Sequence, residues 1–151
     1  MDVEKLLKAL DNEDNSHLLD LTNDKIMQIK IDILKELGFS RNKLLDILKS
    51  LKYYRYVDGM NELCYGSYIR WIPITNPAKI ELTKGSIFCE FKVTDTGVYV
   101  VCKNFMNKYH QFKLEENLIF QKITDQEHVL LSALDHLSKW NGRNEMIEMK
   151  W

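Results

Sequence analysis

The pattern that most resembles a catalytic motif is Glu90-Phe91-Lys92, an acid and a lysine two positions apart on a predicted strand. In metal-dependent nucleases such an acid binds a divalent ion while the lysine stabilises developing charge. That chemistry needs a second carboxylate, and Glu81 is the nearest upstream acid on a strand-like segment. Solvated strand faces also alternate Glu with Lys, so this pattern alone does not indicate a nuclease. We therefore expect that the protein is not an enzyme and that it binds neither a metal ion nor a cofactor.

The four histidines, His17, His110, His128 and His136, lack the spacing of a catalytic or metal-binding pair. His128 and His136 are two helical turns apart, which exceeds the i, i+4 spacing of helical metal ligands. Asp135 directly precedes His136, and adjacent helical residues do not face each other. The sequence also lacks phosphate-loop, nucleophile-elbow and dinucleotide motifs, so we assign no catalytic residues.

Two stretches, 103–113 and 49–56, interleave basic with aromatic residues. Single-strand binders use rings that stack on bases beside cations that contact phosphates, although strand aromatics often belong to the core. The candidate nucleic-acid-binding residues of these stretches are Lys103, Lys108, Tyr109, Lys113, Lys52 and Arg55.

A second hypothesis is a helix-turn-helix or winged helix. A predicted helix is followed by the turn Leu37-Gly38-Phe39-Ser40, a second helix and then strands. Arg41 and Lys43 would then open the recognition helix, where side chains contact base edges. Helical hairpins are also common in proteins that do not bind DNA.

Apolar residues at helical spacing predict helices over 2–10, from about 23 to 37, and from 41 to about 52. Ser40 is the expected N-cap of the third helix. Thr124-Asp125-Gln126-Glu127 has the form of a capping box, which predicts that a final helix starts there. Trp140-Asn141-Gly142 is expected to end it.

Alternating apolar residues and turn signals predict strands over 53–57, 67–74, 79–83, 86–93, 98–103, 109–114 and 118–123. In 86–93, strict alternation places Ile87, Cys89, Phe91 and Val93 on one side and Phe88, Glu90 and Lys92 on the other. Short strands joined by tight turns predict a small antiparallel sheet that curls into a barrel.

The chain has 151 residues and a formal net charge of −1, which is typical of one globular domain and gives no global basic signal for nucleic acid. The charge is uneven, because residues 1–24 carry seven acids and two bases, whereas residues 25–56 carry eight bases and three acids. These segments, with net charges of −5 and +5, matter more to a charged partner than the total does.

The three cysteines have no zinc-site spacing, and their odd number predicts free thiols in a reducing compartment. The sequence has no secretory signal pattern and no apolar run of the roughly 18 residues that a membrane span needs. We therefore expect an intracellular protein that does not contact a membrane.

The segments 54–58, 66–72 and 119–124, with sequences YRYVD, GSYIRWI and IFQKIT, resemble small uncharacterised proteins of large eukaryotic nucleocytoplasmic DNA viruses. The resemblance covers residues 25–140, and the many Lys, Asn and Ile residues suit an AT-rich viral genome. It implies a viral protein in the cytoplasm or nucleus of an infected cell, or in the virion. It implies no activity and no catalytic residues.

The predicted fold is α+β, with an N-terminal helical hairpin, a small antiparallel β-barrel or curled sheet, and a C-terminal capping helix. The expected segments are an acidic helix and linker at 1–22, the hairpin at 23–52, the barrel with its helix at 53–142, and a tail at 143–151.

The expected function is a non-enzymatic viral binding module that contacts nucleic acid. The alternatives are a protein–protein scaffold or virion structural protein, which would form homo-oligomers or bind a protein partner, and a helix-turn-helix DNA-binding protein.

Overall fold

The computed structural model describes residues 3–11 and 21–149, without the side chains of 138 and 140–149. It confirms the α+β class. The helices are α1 (Val3–Asp11), α2 (Asn23–Lys35), α3 (Arg41–Ser50) and α4 (Asp125–Met149). The strands are β1 (Tyr54–Val57), β2 (Tyr68–Pro73), β3 (Ser86–Thr94), β4 (Gly97–Lys103), β5 (Tyr109–Lys113) and β6 (Asn117–Lys122).

The six strands form one antiparallel sheet in the order β1-β6-β2-β3-β4-β5. The barrel prediction is wrong, because the edge strands β1 and β5 pair only with β6 and β4, and a barrel closes only when its edges pair. The sheet is nevertheless curled. Trp71 on β2 stacks on Phe112 on β5 with ring centroids 4.4 Å apart, although two strands separate them in the sheet order.

The sheet has two apolar clusters, one on each face. The inner cluster lies inside the curl and consists of Val57, Leu63, Ile69, Phe88, Val100, Cys102 and Ile119. The helix-side cluster joins β2 and β6 to α2 and α3 and consists of Leu34, Ile47, Leu51, Ile72, Leu118 and Phe120. Both faces of the central strands are therefore buried, which explains why β6 carries four consecutive buried residues.

A β-bulge in β3 overturns the predicted alternation of that strand. The register with β4 shifts between Phe88 and Glu90, so that Cys89 is the extra residue. Phe88 and Phe91 consequently lie on the same face, with ring centroids 4.7 Å apart, rather than on opposite faces. An inserted residue reverses the alternation of every later side chain in the strand.

The predicted strand at 79–83 is also wrong, because this segment has no strand ladder. The N–H of Thr83 donates to the carbonyl of Trp71 at 3.0 Å, but the return bond from the Trp71 N–H goes to the Thr83 hydroxyl at 3.1 Å. Because the side chain replaces the backbone carbonyl, the pairing ends after one contact.

The chain divides into two compact units, one of residues 1–28 with 123–151 and one of residues 29–122. In the first unit α1 packs on α4 through Ala9 and Leu130. The side-chain amide of Asn23 donates to the Asp135 carboxylate at 2.7 Å.

The local helix signals are confirmed. The Ser40 hydroxyl accepts from the Lys43 N–H at 3.3 Å. Thr124 and Glu127 form both bonds of the capping box, each 3.1 Å long. The predicted end of the final helix is wrong, because α4 continues through Gly142 to Met149. A glycine inside a helix costs only about 1 kcal/mol, which does not terminate it.

Candidate nucleic-acid interface

The strand register brings the basic and aromatic residues of 103–113 onto one face of the sheet. Directly paired residues of antiparallel strands point to the same side. Lys103 on β4 therefore lies beside Tyr109 on β5 and beside Ile87 on β3. These three side chains form one row on the face opposite the inner cluster, and we call that side of β3, β4 and β5 the outer face.

Two further rows complete the outer face. Lys92, Tyr99 and Lys113 are paired across the three strands, and Glu90, Val101 and Gln111 form the row between them. The Tyr99 hydroxyl is within 2.9 Å of the Thr96 hydroxyl, which fixes the direction of the ring. The sequence did not indicate Tyr99 as a site residue, and it indicated Lys92 only as part of a nuclease motif, because their proximity to Lys113 depends on strand register.

The turn between β4 and β5, residues 104–108, extends this face with a fixed tip. The Asn104 side-chain oxygen accepts the N–H groups of Met106 at 2.9 Å and Lys108 at 3.1 Å. The N–H of Asn107 donates to the Asn104 carbonyl, and Asn107 has a left-handed φ of 61°. Asparagine tolerates that conformation better than most residues, so the tip is a defined turn.

The tip holds two large apolar side chains in solvent. Phe105 is 87% exposed and Met106 is 67% exposed. Tyr109, at the base of the tip, is 67% exposed, so its ring is not a core residue. Lys108 is also exposed, which gives this end of the sheet rings and cations within a few residues of one another.

The charges of the outer face and the tip are mostly positive. Lys92, Lys103, Lys108 and Lys113 lie here together with one acid of the face, Glu90. The Lys113 ammonium is 3.4 Å from the carboxylate of Glu115, just beyond the end of β5. The Lys113 side chain is only partly exposed, whereas that of Glu115 is exposed, so this pair offsets part of the positive charge of Lys113.

The candidate residues outside this face are dispersed. Arg41 is exposed at the start of α3, whereas the Lys43 ammonium donates to the Ile80 carbonyl at 3.2 Å and lies 5.2 Å from the ring centre of Phe39. Lys52 is exposed and its ammonium lies 5.3 Å from the ring centre of Tyr53.

Arg55 is only 2% exposed, and its guanidinium donates to the Glu62 carbonyl at 3.5 Å. On β1 it points to the same side as Val57, towards the interior of the curl. Its position on a strand face could not be read from the basic and aromatic composition of 49–56. The prediction that Arg55 contacts nucleic acid is therefore wrong, because its guanidinium is not accessible to a phosphate at the surface.

The nuclease pattern lacks its second carboxylate on a strand. Glu90 and Lys92 share the outer face, but Glu81 lies in the segment that forms no ladder. Within residues 3–11 and 21–149, no group of three or more His, Cys, Asp or Glu side chains is arranged to hold a metal ion. His17 lies outside the described residues, and the Nε2 atom of His110 is 3.4 Å from the side-chain nitrogen of Asn104.

Comparisons with protein-family models, curated proteins and solved structures find no match for this chain. In the described part of the chain, no helix combines the length and apolar character needed to cross a membrane.

Proposed function

We propose that this protein is a nucleic-acid-binding module whose interface is the outer face of β3, β4 and β5 together with the tip at 104–108. The observation that carries the proposal is the cross-strand register, which sets Lys103 beside Tyr109 and Lys92 beside Tyr99 and Lys113. Rings alternate there with cations on a solvated surface. Nucleic-acid-binding sheets use such surfaces to stack bases and neutralise phosphates.

Viral origin and a place in the infected cell remain part of this proposal, because they derive from the sequence resemblance. A binding surface of four lysines is also compatible with the near-neutral total charge, since local charge governs association with a polyanion.

The helical hairpin of α2 and α3 is the second hypothesis, and its geometry favours it less. The ammonium of Lys43 is already bonded to the Ile80 carbonyl, so Arg41 is the more accessible cation at the start of α3. A scaffold or virion structural role would place the +5 segment, residues 25–56, against an acidic protein partner. A binding experiment distinguishes the helical hairpin and the scaffold from the proposed interface.

The proposal is tested by fluorescence anisotropy of labelled single-stranded DNA, RNA of the same sequence and duplex DNA, each titrated with the full chain at low and at near-physiological salt. The test variant is the double substitution Lys103→Glu and Lys108→Glu. The control is Lys79→Glu with Lys122→Glu, which makes the same charge change at two exposed lysines away from the outer face.

We expect wild type and the control to bind at least one of these ligands, more weakly at higher salt, and the test variant to lose most of this binding. Equal losses in both double variants would show a non-specific charge effect and contradict the assignment to the outer face. Loss with Arg41→Ala instead would favour the helix-turn-helix. No binding by wild type, with a mass above that of the monomer in sedimentation, would favour the scaffold.

A further inference from the structure

A cleft of about 440 Å³ opens beneath the tip, at the seam where the curled sheet brings β5 towards β2. Its aromatic lining is Trp71, Phe112 and Phe105, the last of which is almost wholly exposed. Its volume lies within the range of roughly 300–1,000 Å³ that is typical of small-molecule sites. We call it the seam cleft.

The polar lining of the seam cleft carries no carboxylate. His110, Asn104 and Lys84 supply an imidazole, an amide and an ammonium group, and the remaining residues of the lining are neutral. A second cleft of similar volume, between β1, β6 and the start of β4, is lined instead by Asp58 and Glu115. Of these two clefts, only the seam cleft suits a flat ligand that carries a phosphate.

The seam cleft and the outer face meet at the tip. Phe105 lines the cleft, while Lys103, two residues earlier, and Tyr109, four residues later, belong to the outer face. Trp71, His110 and Phe112 belong to the inner side of the sheet, so a single strand whose phosphates follow the lysines of the outer face reaches the cleft where it passes around the tip. Bases that are not paired can leave the stack and insert between aromatic side chains, whereas duplex bases must first be unpaired.

We propose that the seam cleft accepts one unpaired nucleobase, which stacks on Phe105, and that the protein consequently prefers single strands to duplexes. The proposal rests on the nucleic-acid function proposed above and names its substrate class. Aromatic stacking on one base corresponds to roughly a 5- to 150-fold change in affinity.

The first experiment compares the affinities of wild type, Phe105→Ala and Phe105→Trp for a single strand and for its duplex by fluorescence anisotropy. We expect Phe105→Ala to weaken single-strand binding by roughly 5- to 150-fold and to weaken duplex binding much less. Phe105→Trp should restore the affinity for the single strand. Because Phe105 is exposed, both variants should fold, which circular dichroism checks.

The second experiment follows the indole N–H resonance of Trp71 by NMR while adenosine monophosphate or ribose 5-phosphate is added. Trp71→Phe assigns the resonance. We expect a shift with the nucleotide and none with the sugar phosphate, because only the former carries a base. Equal shifts with both would identify a phosphate site and overturn the base assignment.

Failure of this inference is separable from failure of the proposed function. Salt-dependent binding with equal single-strand and duplex affinities, unaffected by Phe105→Ala, would overturn the base site and leave the interface standing. No binding to any nucleic acid would overturn the interface, and an unshifted Trp71 resonance would then also remove the base site. Phe105-dependent sedimentation with phosphatidylcholine–phosphatidylserine vesicles, without nucleic-acid binding, would assign the tip to a membrane surface.

Discussion

Gly85 is the position at which the fold most clearly requires a glycine. Its φ is +96°, and a Cβ built there would lie 2.5 Å from the backbone carbonyl oxygen of Ile69. Gly66 provides a matched control, since its φ is +82° but a Cβ would meet no atom within 4 Å. Both positions favour glycine through their backbone conformation, and only Gly85 adds a steric clash.

We therefore expect Gly66→Ala to lower the free energy of unfolding by about 1–2 kcal/mol, the cost of a left-handed alanine. Gly85→Ala should cost more, because either β2 or the segment 83–86 must move. Urea denaturation of the two variants measures both values. Equal losses would mean that the segment 83–86 moves without strain.

Lys30 is a buried lysine whose ammonium donates to the carbonyl of Leu51 at 2.9 Å, at the C-terminal end of α3. Burial lowers the pKa of Lys30 below its ordinary value of 10.5. The unfolded chain therefore binds this proton more tightly than the folded protein does. By linkage, the contribution of Lys30 to stability rises as pH increases from its folded pKa towards 10.5.

Lys30→Met should remove this pH dependence while keeping an unbranched chain of similar size. The test is the difference in unfolding free energy between the variant and wild type at several values between pH 7 and about pH 10. We expect the unfolding free energy of wild type to increase relative to that of Lys30→Met as the pH rises. A constant difference would contradict the lowered pKa.

At the scale of elements, the start of α4 is defined by the reciprocal bonds of Thr124 and Glu127, and the Glu127 side chain is buried. Thr124→Ala removes the hydroxyl acceptor of the Glu127 N–H, so we expect a loss of about 1 kcal/mol in unfolding free energy. Thr124→Ser keeps the acceptor and should cost much less. A Thr124→Ala variant with the denaturation midpoint of wild type would show that the cap contributes nothing.

The β-bulge at Cys89 is the element-scale feature that shapes the site. Because the strand alternation shifts there, Phe91 joins the inner cluster while Glu90 and Lys92 take the outer face. Without the bulge, Lys92 would lie on the opposite side from Lys103. The row pattern on which the proposed function depends is thus a consequence of one inserted residue.

At the scale of the whole molecule, the proposed binding is electrostatic. The dependence of its affinity on salt concentration therefore reports the number of phosphate contacts. Each lysine that contacts a phosphate contributes about one unit to the slope of log affinity against log salt. Lys103→Glu with Lys108→Glu should therefore reduce that slope by about 2. The double control at Lys79 and Lys122 should have the same slope as wild type. If the test variant also had the wild-type slope, the phosphates would not contact Lys103 and Lys108.

The sequence by itself determined the features that depend on near neighbours. The capping box at Thr124 and the N-cap at Ser40 are contacts within three residues along the chain. The α+β class and six of the seven predicted strands were indicated by apolar spacing and turn residues in consecutive sequence. Helix caps and apolar alternation involve residues that are close together in the sequence, so both can be recognised from consecutive residues.

Only the tertiary structure determined which residues of the chain lie next to one another. The bulge at Cys89, the open sheet edges, the burial of Arg55 and the proximity of Lys92 to Tyr99 and Lys113 depend on strand register, which joins residues distant in sequence. A one-residue change of register moves a whole strand's side chains to the other face. The basic and aromatic residues were therefore visible in the sequence, whereas the face that unites them became visible only in the folded sheet.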